Sequence, residues 1–374
     1  MIRMIFDAIS EPHAGAKWHS RWQRSWPAYE AWFLARGGDN GPDRKTCRAA
    51  LARYMPELLP TYDRLVTLAG GSDRAARFLS TWCPPAYLGG CSIAALSDGA
   101  EVRLVRNYDL SPDLNEGFLL RSAWTGRPVM GMVEFLWGLS DGINDAGLAV
   151  ALAYGGRSET GRGFGVTTIL RYVLETCDTV DEAVEVLARV PSHMAYNIVL
   201  TDLAGNTASV ELSPGGGARR MQQAIATNHQ SSAPRPDQAS FTRTYERHEH
   251  LRGLTGAPAL LYQHFLKHPL RQDRFEVGFG TLFTTEYDPA TTSLRLIWPD
   301  MEWRQSLEDF EEGQRVAVLS APVRARSVAA TVPVASRQDW ALASRIDWLA
   351  VGRDYAAGRG KEIASYLENV STQC

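Results

Sequence analysis

An α+β fold is predicted by the alternation of strand-like and helical segments along this chain of 374 residues. Short apolar or alternating runs bounded by Gly, Asp and Ser occupy residues 91–97, 101–108 and 148–154, and such runs are typical of strands. Two helical patterns follow at 166–177 and 180–190, and the second has acidic residues in its first turn. Strands that alternate with paired helices indicate layers of sheet and helix, and therefore an α+β fold.

The second half of the chain continues this alternation, because strand-like runs return after the two helices. A turn at Leu203-Ala204-Gly205 separates the first two of these runs, and Asp288-Pro289 separates the last two. Each turn therefore predicts a hairpin. In chain order, the predicted strands are 196–202, 206–212, 219–227, 279–287 and 293–298.

The N-terminal part is predicted to be helical and is rich in aromatic residues, up to Pro84 and Pro85, which end helix formation. Trp18, Trp22 and Trp26 recur at every fourth residue, so a helix places their indoles on one face. An aromatic stripe of the core is the favoured interpretation of this pattern. The lining of a hydrophobic substrate pocket is the alternative.

The change from helical to strand-like sequence near residue 90 divides the chain into segments. We expect a helical N-terminal segment at 1–90, a core of strands and helices at 91–300, and a C-terminal extension at 301–374 that packs on the core. Within the extension, the sequence predicts helices at Glu302–Glu312 and Ile346–Leu367 and allows strands within Val316–Val334.

Composition excludes several classes of protein. The hydrophobic share of 45% and the charged share of 22% are ordinary for a globular protein. A net charge of −3 and a pI near 6.3 provide no general attraction to nucleic acid. No apolar run is long enough to cross a bilayer, and the N-terminal residues lack the apolar core of a secretory signal. We therefore expect a cytoplasmic protein without a nucleic-acid or membrane partner.

The cysteines favour free thiols in a reducing compartment, because they are odd in number and widely scattered. None of them has the CxxC or Cys/His spacing of a zinc site, so no metal and no cofactor is expected. One of these thiols is therefore a candidate for chemistry. The five cysteines are Cys47, Cys83, Cys91, Cys177 and Cys374.

One cysteine stands out because it follows two glycines at the junction between the helical part and the first strand, in Gly89-Gly90-Cys91-Ser92. A turn at Asp98-Gly99 predicts a hairpin whose second strand ends beside this cysteine. That hairpin would bring Arg106 and Asp109 close to the thiol. A guanidinium favours thiolate, and a carboxylate can hold a protonated amine. Taken alone, these residues are better explained as a tight turn beside a buried thiol and an ordinary Arg–Asp pair at a strand end.

The order of four motifs resembles that of a known family. Gly-Cys, then Arg-x-x-Asp, then Gly-Leu-x-x-Ala and finally Thr-Asn-His are similar to motifs of choloylglycine hydrolases and penicillin acylases. They resemble more closely the acyl-coenzyme A:isopenicillin N acyltransferase family, whose members carry a propeptide and cleave themselves before the cysteine. The resemblance covers residues 85–300. It implies the four-layer αββα fold of N-terminal-nucleophile hydrolases, with 1–90 as a propeptide-like segment.

The resemblance also implies roles for individual positions. Cleavage between Gly90 and Cys91 would free Cys91 as the nucleophile. Either the backbone N–H or the phenol of Tyr154 would contact the oxyanion. Arg247 is a rival for the role of the downstream arginine. The catalytic positions implied by the resemblance are Cys91, Asp109, Asn228 in the oxyanion hole, Arg106, Tyr154 and Arg243.

The chemistry of such a site explains why the peptide bond must break. A thiol is mostly protonated near pH 7, and the α-amine that cleavage exposes has a pKa near 8, so it can serve as the base. The expected substrate is a small-molecule amide or acyl thioester, whose acyl group passes through a thioester to water or to an amine. The N-terminal fragment is expected to stay bound as one chain of an α/β heterodimer, and a homo-oligomer is allowed.

Three alternatives stay open at this point. His229 or His193 could act as the base in a papain-like pair with Cys91. The glycines at 155–156 and 161–165 could bind phosphate, although no complete phosphate-binding motif is present. The chain could also be a non-catalytic member of the same fold that binds a small molecule or acts as a scaffold.

Overall fold

Two β-sheets dominate the computed structural model of the chain, which describes residues 2–87, 89–233 and 236–319. Within these residues the sheets contain nine and seven strands. Neighbouring strands of the larger sheet are antiparallel except β1 and β4, which are parallel. In spatial order, the larger sheet consists of β10 (Ala218–Met221), β9 (Thr207–Leu212), β8 (Tyr196–Thr201), β7 (Ala149–Tyr154), β6 (Gly138–Asn144), β5 (Val129–Glu134), β4 (Phe118–Ser122), β1 (Ile2–Glu11) and β16 (Gly313–Leu319).

The smaller sheet contains the hairpin that the sequence predicted after Gly90. Its first two long strands pair antiparallel, with Cys91 opposite Tyr108 and Gly90 opposite Asp109. The short strand β12 pairs with β13 at the side of the main path. The strands are β11 (Ile225–Ala226), β2 (Gly90–Ser97), β3 (Val102–Leu110), β13 (Phe279–Asp288), β14 (Ser293–Trp298), β15 (Met301–Ser306) and β12 (Asp273–Arg274).

The helices lie on the two outer faces of the sheets. Those described are α1 (Ala16–Ala35), α2 (Arg44–Tyr54), α3 (Leu59–Leu68), α4 (Asp73–Ser80), α5 (Val166–Thr176), α6 (Val180–Arg189), α7 (Ala239–Thr242), α8 (Thr244–Arg252) and α9 (Tyr262–Phe265).

Three apolar clusters define the layers. The first joins helices α1 to α6 to one face of the larger sheet. The second fills the space between the sheets, where Ile93 of β2 and Val199 of β8 belong to one cluster. The third joins the outer face of the smaller sheet, at Ala94, to Leu251 of α8 and Phe265 of α9. Successive residues of a strand point to opposite faces, which is why Ile93 and Ala94 belong to different clusters. The order helix, sheet, sheet, helix confirms the expected four-layer α+β fold.

The aromatic stripe of the N-terminal segment is part of the core. Trp18, Trp22 and Trp26 lie on α1, and their rings stack with centroid distances of 5.5 and 4.4 Å. The indole nitrogen of Trp18 donates to the carbonyl of Leu136 at 3.2 Å. The interpretation of this stripe as core is therefore confirmed.

Strands β1 and β15 were missed by the sequence analysis, whereas β16 overlaps the stretch Val316–Val334 in which strands were allowed. The expected helical segment begins with β1, which lies between β4 and β16. A helix was also expected at Glu302–Glu312, and this expectation is wrong because β15 forms there. Alternate residues of β15, Trp303 and Gln305, are buried, so burial rather than helix propensity decides the structure. The two sheets thus extend past the expected core boundary at residue 300, and the helix expected at Ile346–Leu367 lies outside the described residues.

The described helices include none that is long and apolar enough to span a membrane.

Candidate active site

Cys91 lies at the start of β2 and is buried, with 1% of its surface exposed. The two glycines before it differ in their surroundings. A Cβ atom on Gly90 would lie 2.3 Å from the Phe279 ring and 2.9 Å from the carbonyl oxygen of Asp109, whereas a Cβ on Gly89 would meet nothing within 4 Å. Neither glycine has a positive φ. Gly90 is therefore required by close packing, not by an unusual backbone angle.

Arg106 provides the positive charge at the thiol. Its Nη2 atom donates to Sγ of Cys91 at 3.1 Å. Its Nη1 atom donates to Ser140 at 3.0 Å and pairs with the carboxylate of Asp141 at 3.2 Å, both on β6. Arg106 therefore does not form the simple pair with Asp109 that the spacing allowed. It instead connects the thiol of one sheet to a carboxylate of the other.

The thiol is nevertheless held in its protonated form in the intact chain. Burial raises the pKa of Cys91 to about 11, and the nearby Arg106 opposes this shift only in part. Desolvation disfavours the thiolate more than one guanidinium favours it. The thiol thus needs a base for efficient repeated attack near pH 7.

Asp109 and Arg247 form a second pair of charged groups near Cys91. Oδ1 of Asp109 accepts a hydrogen bond from the Thr281 hydroxyl at 2.6 Å, and Oδ2 lies 3.6 Å from Nη1 of Arg247. Among the described residues, none donates a hydrogen bond to Oδ2. Burial raises the pKa of Asp109, and Arg247 opposes this shift. The carboxylate therefore has one oxygen available for a new donor.

Arg247, not Arg243, reaches the site. Its Nη1 atom donates to the carbonyl oxygen of Cys91 at 2.6 Å, and its Nη2 atom donates to Oδ1 of Asn228 at the same distance. Arg243 is about one-third exposed and pairs with Glu246 at 2.6 Å. Of the two arginines that the sequence offered, Arg247 on α8 is therefore the one whose contacts reach Cys91 and Asn228, whereas Arg243 directly precedes that helix and points its charge to Glu246.

Asn228 connects Cys91 to the end of β7. Its Oδ1 accepts the backbone N–H of Cys91 at 3.2 Å, and its Nδ2 donates to the carbonyl oxygen of Tyr154 at 3.1 Å. The backbone N–H of Gly155 donates to the carbonyl oxygen of Ala195 at 2.8 Å, across the ladder between β7 and β8. In that ladder Tyr154 lies opposite Tyr196. In an antiparallel ladder this places the N–H and C=O of Tyr154 on the side away from β8. The N–H of Tyr154 and the amide of Asn228 therefore face the same region.

The phenol of Tyr154 has a different position. Its ring packs edge-on against Tyr196 with a centroid distance of 6.0 Å. Its hydroxyl is buried and has no hydrogen-bond partner within the described part of the chain. Of the two groups that the resemblance allowed for the oxyanion contact, the backbone N–H is thus the better placed.

Neither candidate histidine contacts the thiol. Nδ1 of His229 is 2.8 Å from the hydroxyl of Thr244, and Nδ1 of His193 is 2.5 Å from the carbonyl oxygen of Gly161. Burial lowers the pKa of His229 to about 4. A neutral histidine held by threonine hydroxyls does not form the papain-like pair with Cys91.

The glycine-rich stretch has a packing role. A Cβ atom on Gly161 would lie 2.3 Å from the backbone nitrogen of Gly215, and one on Gly163 would lie 2.3 Å from the backbone of Ser192. These glycines allow close approach of two chain segments, which explains them without a bound phosphate.

A comparison with known protein families shows which family the chain belongs to. Residues 97–303, more than half of the sequence, match the family model described as acyl-coenzyme A:6-aminopenicillanic acid acyl-transferase. The chain belongs to this family. The resemblance stated from the motifs is thereby confirmed. Cys91 itself lies just before the residues that match the acyl-transferase family.

Solved structures of other proteins are also similar to this acyl-transferase family member. Penicillin V acylase from Agrobacterium tumefaciens is 17% identical with a TM-score of 0.42, over 58% of this chain and 86% of its own. A mutant conjugated bile acid hydrolase from Clostridium perfringens is 12% identical with a TM-score of 0.42, over 63% and 100%. An N-acylethanolamine-hydrolyzing acid amidase ortholog from Caenorhabditis elegans is 17% identical with a TM-score of 0.41, over 61% and 100%. None of the curated proteins matches the chain.

The motif analysis of this acyl-transferase family member missed several polar groups that touch the site. Asp141 of β6 pairs with Arg106, and Thr281 of β13 holds Asp109. Both are buried polar residues within strands, where alternation predicts apolar residues. That departure from the pattern was a usable signal, but it did not indicate which partner each residue has.

Proposed function

We propose that the chain is a cysteine amidohydrolase or acyltransferase that activates itself by cleavage between Gly90 and Cys91. One observation carries this proposal: the thiol, amide nitrogen and carbonyl oxygen of Cys91 each have a separate polar partner. These partners are Arg106 at Sγ, Asn228 at N and Arg247 at O. Membership of an acyl-transferase family supports the same class of chemistry.

Self-cleavage begins with attack of Sγ of Cys91 on the carbonyl carbon of Gly90. This attack happens once in each chain, so a small fraction of thiolate suffices for it, whereas repeated turnover needs a base. The C–S bond forms as the C–N bond breaks, and the thiol proton passes to the nitrogen of Cys91. Water then opens the thioester, which yields the carboxylic acid of Gly90 and restores the thiol. The close packing of Gly90 against Phe279 and Asp109 supports this step, because it fixes the peptide bond beside the thiol.

The new α-amine then supplies the missing base. An α-amine has an unperturbed pKa near 8, so it can take the thiol proton near neutral pH and return it to the leaving group. Oδ2 of Asp109 is the group that would hold the ammonium form, because Asp109 stands opposite Gly90 and this oxygen lacks a donor among the described residues. Arg106 would stabilise the thiolate.

In catalysis, the Cys91 thiol attacks the carbonyl group of a substrate in the same way as it attacked the carbonyl of Gly90. Sγ of Cys91 adds to the carbonyl carbon of an amide or acyl thioester, and the oxyanion is held by Nδ2 of Asn228 and the N–H of Tyr154. Loss of one such donor typically lowers the rate by about 10²–10³-fold. The leaving amine or thiol takes the proton from the α-amine, and the acyl group stays on Sγ as a thioester.

The second half-reaction transfers the acyl group to water or to an amine. The family description names an acyl-coenzyme A donor and an amine acceptor, whereas the names of the similar structures describe hydrolases. Both outcomes share the same thioester, so we propose a small-molecule amide or acyl thioester as the substrate.

After cleavage, the N-terminal fragment 1–90 would remain bound as the smaller chain of a heterodimer. Its strand β1 has hydrogen-bonded neighbours on both sides, β4 and β16, which belong to the larger fragment. Its helices share one apolar cluster with the larger sheet. Separation would expose this apolar surface and two strand edges, and both are costly in water.

The thiols support a cytoplasmic location, which we retain as a proposal. Among the described residues, Cys47, Cys83, Cys91 and Cys177 are free. Unpaired cysteines are typical of reducing compartments.

A trapping experiment tests the proposed reaction. The protein is incubated with a panel of acyl amides and acyl thioesters, quenched in acid, digested and examined by mass spectrometry. The proposal expects an acyl adduct on Cys91 that disappears with hydroxylamine. A protein that turns over a substrate of this panel while Cys91 never carries an acyl group would contradict the role of the thiol. A scaffold protein would neither turn over nor acylate.

A further inference from the structure

Glu134, which has no role in the scheme above, is the last residue of β5 and is buried, with 9% of its surface exposed. Its carboxylate accepts a hydrogen bond from the hydroxyl of Tyr108. Tyr108 stands opposite Cys91 in the β2–β3 ladder. A buried carboxyl group thus lies one side chain away from the strand that carries the thiol.

Tyr108 connects this carboxylate to the guanidinium at the thiol. The guanidinium carbon of Arg106 lies 4.4 Å from the centre of the Tyr108 ring, and its Nη2 atom donates to Sγ of Cys91 at 3.1 Å. The Tyr108 ring also stacks on Phe283 with a centroid distance of 5.2 Å. The ring is therefore clamped, and its hydroxyl fixes Glu134 relative to Arg106.

Glu134 has two other acidic residues near it, Glu116 and Asp141, and Arg106 cannot neutralise all three carboxylates. Arg106 is already paired with Asp141 at 3.2 Å. Burial raises the pKa of Glu134 to about 7; Arg106 and the Tyr108 hydroxyl oppose this shift, and the acids Glu116 and Asp141 reinforce it. The titratable groups that face Glu134 from the surrounding elements are Arg106 and Tyr108 on β3, Cys91 on β2, Glu116 before β4, Asp141 on β6, Tyr196 on β8, Tyr87 and Tyr29.

The turn after Glu134 is held by the N-terminal segment. Phe135 and Leu136 have φ values of 55° and 69°, a left-handed conformation that bulky residues rarely adopt. The N–H of Leu136 donates to Glu116 at 2.9 Å, and its carbonyl accepts the indole of Trp18 at 3.2 Å. Strained residues of this kind persist only where their surroundings fix them.

Residues of the N-terminal segment therefore act on this turn. The indole of Trp18 bonds to Leu136, and the hydroxyl of Tyr29 donates to Glu116. The rings of Tyr29 and Trp32 pack against Phe135. These residues lie on α1, which belongs to the fragment that self-cleavage would disconnect from the larger chain but leave bound to it. The position of Glu134 thus depends on a segment that is not part of the family match at 97–303.

We propose that Glu134 is a positioning residue that acts through Tyr108 and Arg106. Its negative charge sets the pH range in which the Cys91 thiol reacts, and helix α1 holds Glu134 in place. This inference rests on the proposed function, in which Cys91 is the nucleophile. A negative charge near a thiol disfavours the thiolate, so an ionised Glu134 shifts thiol reactivity to higher pH.

The test measures the rate of alkylation of Cys91 by iodoacetamide as a function of pH, followed by peptide mass spectrometry. Glu134→Gln removes the charge but keeps an oxygen that can accept the Tyr108 hydroxyl. The midpoint of the Cys91 alkylation profile should move to lower pH by roughly half a unit or more. Tyr108→Phe removes the hydroxyl that holds the Glu134 carboxylate beside Arg106, so the charge acts less directly on the site and the midpoint should move in the same direction by less.

Glu175→Gln is the matched control. Glu175 is also a buried glutamate, but it pairs with Arg171 on α5 at 2.5 Å. This variant should lose thermal stability while the alkylation midpoint of Cys91 stays in place. If Glu134→Gln also loses stability without a change in midpoint, Glu134 is merely structural and the inference is overturned. Should Glu134→Gln fail to fold, an unchanged midpoint in Tyr108→Phe overturns it equally.

The proposed function and the inference about Glu134 can fail independently of each other. The alkylation profile reports on the Cys91 thiol itself and needs no substrate. A chain that never cleaves and never turns over a substrate contradicts the proposed function, yet a shifted midpoint in Glu134→Gln would still show the coupling.

Discussion

Nη2 of Arg247 lies 2.6 Å from Oδ1 of Asn228, and this bond determines which way the amide of Asn228 points. A guanidinium can only donate, so the amide atom that faces it is the oxygen. The amide nitrogen is then directed to the end of β7, where it meets the carbonyl of Tyr154. One buried arginine thus orients the donor that would hold the oxyanion.

Two neighbouring arginines therefore have different expected effects. Arg247→Ala should lower turnover by roughly 100-fold, because the amide of Asn228 loses its orientation. It should also destabilise the fold by about 3–5 kcal/mol, because a buried ionic group loses its partner. Arg243→Ala removes an exposed pair and should change stability by less than about 1 kcal/mol. Urea denaturation measures the stability of the two variants, and steady-state kinetics measure their turnover. If Arg243→Ala lowered turnover and stability more than Arg247→Ala, Arg243 would be the functional arginine.

Asn228→Ala should separate maturation from turnover. The variant should still cut itself, because the thiol and its scissile bond are intact. Its turnover should fall by about 10²–10³-fold, because one oxyanion donor is lost. Gel electrophoresis reports the cleavage, and initial rates report the turnover. A variant with normal turnover would exclude Asn228 from the oxyanion hole.

The two glycines before the cleavage site form a matched pair. Gly90→Ala would place a methyl group against the Phe279 ring and the carbonyl of Asp109, so self-cleavage should slow strongly or the fold should weaken. Gly89→Ala meets open space and should cut at nearly the normal rate. Band intensities over time after purification measure the two rates. Equal rates would show that packing at residue 90 does not fix the scissile bond.

The buried His229 predicts a loss of stability in acid. Its pKa in the folded chain is lowered to about 4 by burial, so the unfolded chain binds the proton more readily. The stability that depends on neutral His229 is therefore present above pH 6.5 and is lost as the pH falls from 6.5 towards 4. His229→Asn should flatten this part of the thermal stability profile, whereas replacement of the exposed His13 should not. Self-cleavage in His229→Asn should persist, and its loss would revive the papain-like alternative.

The parts of the fold that the sequence predicted depend on local signals. The β2–β3 hairpin followed from two alternating runs around Asp98-Gly99, and it placed Arg106 beside Cys91 as expected. The paired helices α5 and α6 likewise followed from apolar periodicity and first-turn acids. These features are encoded within a few residues of one another.

The missed features depend on distant partners. Strand β1 pairs with β4 and with β16, which lies at the other end of the described chain, and no local signal reveals such pairing. The burial alternation of Met4, Phe6 and Ala8 was present, but the helical pattern that follows obscured it. The choice between Arg243 and Arg247 depended on which side of α8 faces β2.

The most direct test of the central claim is the intact mass of active protein, combined with sequencing of its N-termini. The account predicts two bound chains, residues 1–90 and 91–374, the second beginning with Cys91 and a free α-amine. Cys91→Ala should give one uncut, inactive chain. Full activity in protein whose Gly90–Cys91 bond is intact would contradict the account, because the thiol would then lack the base that the mechanism assigns to it.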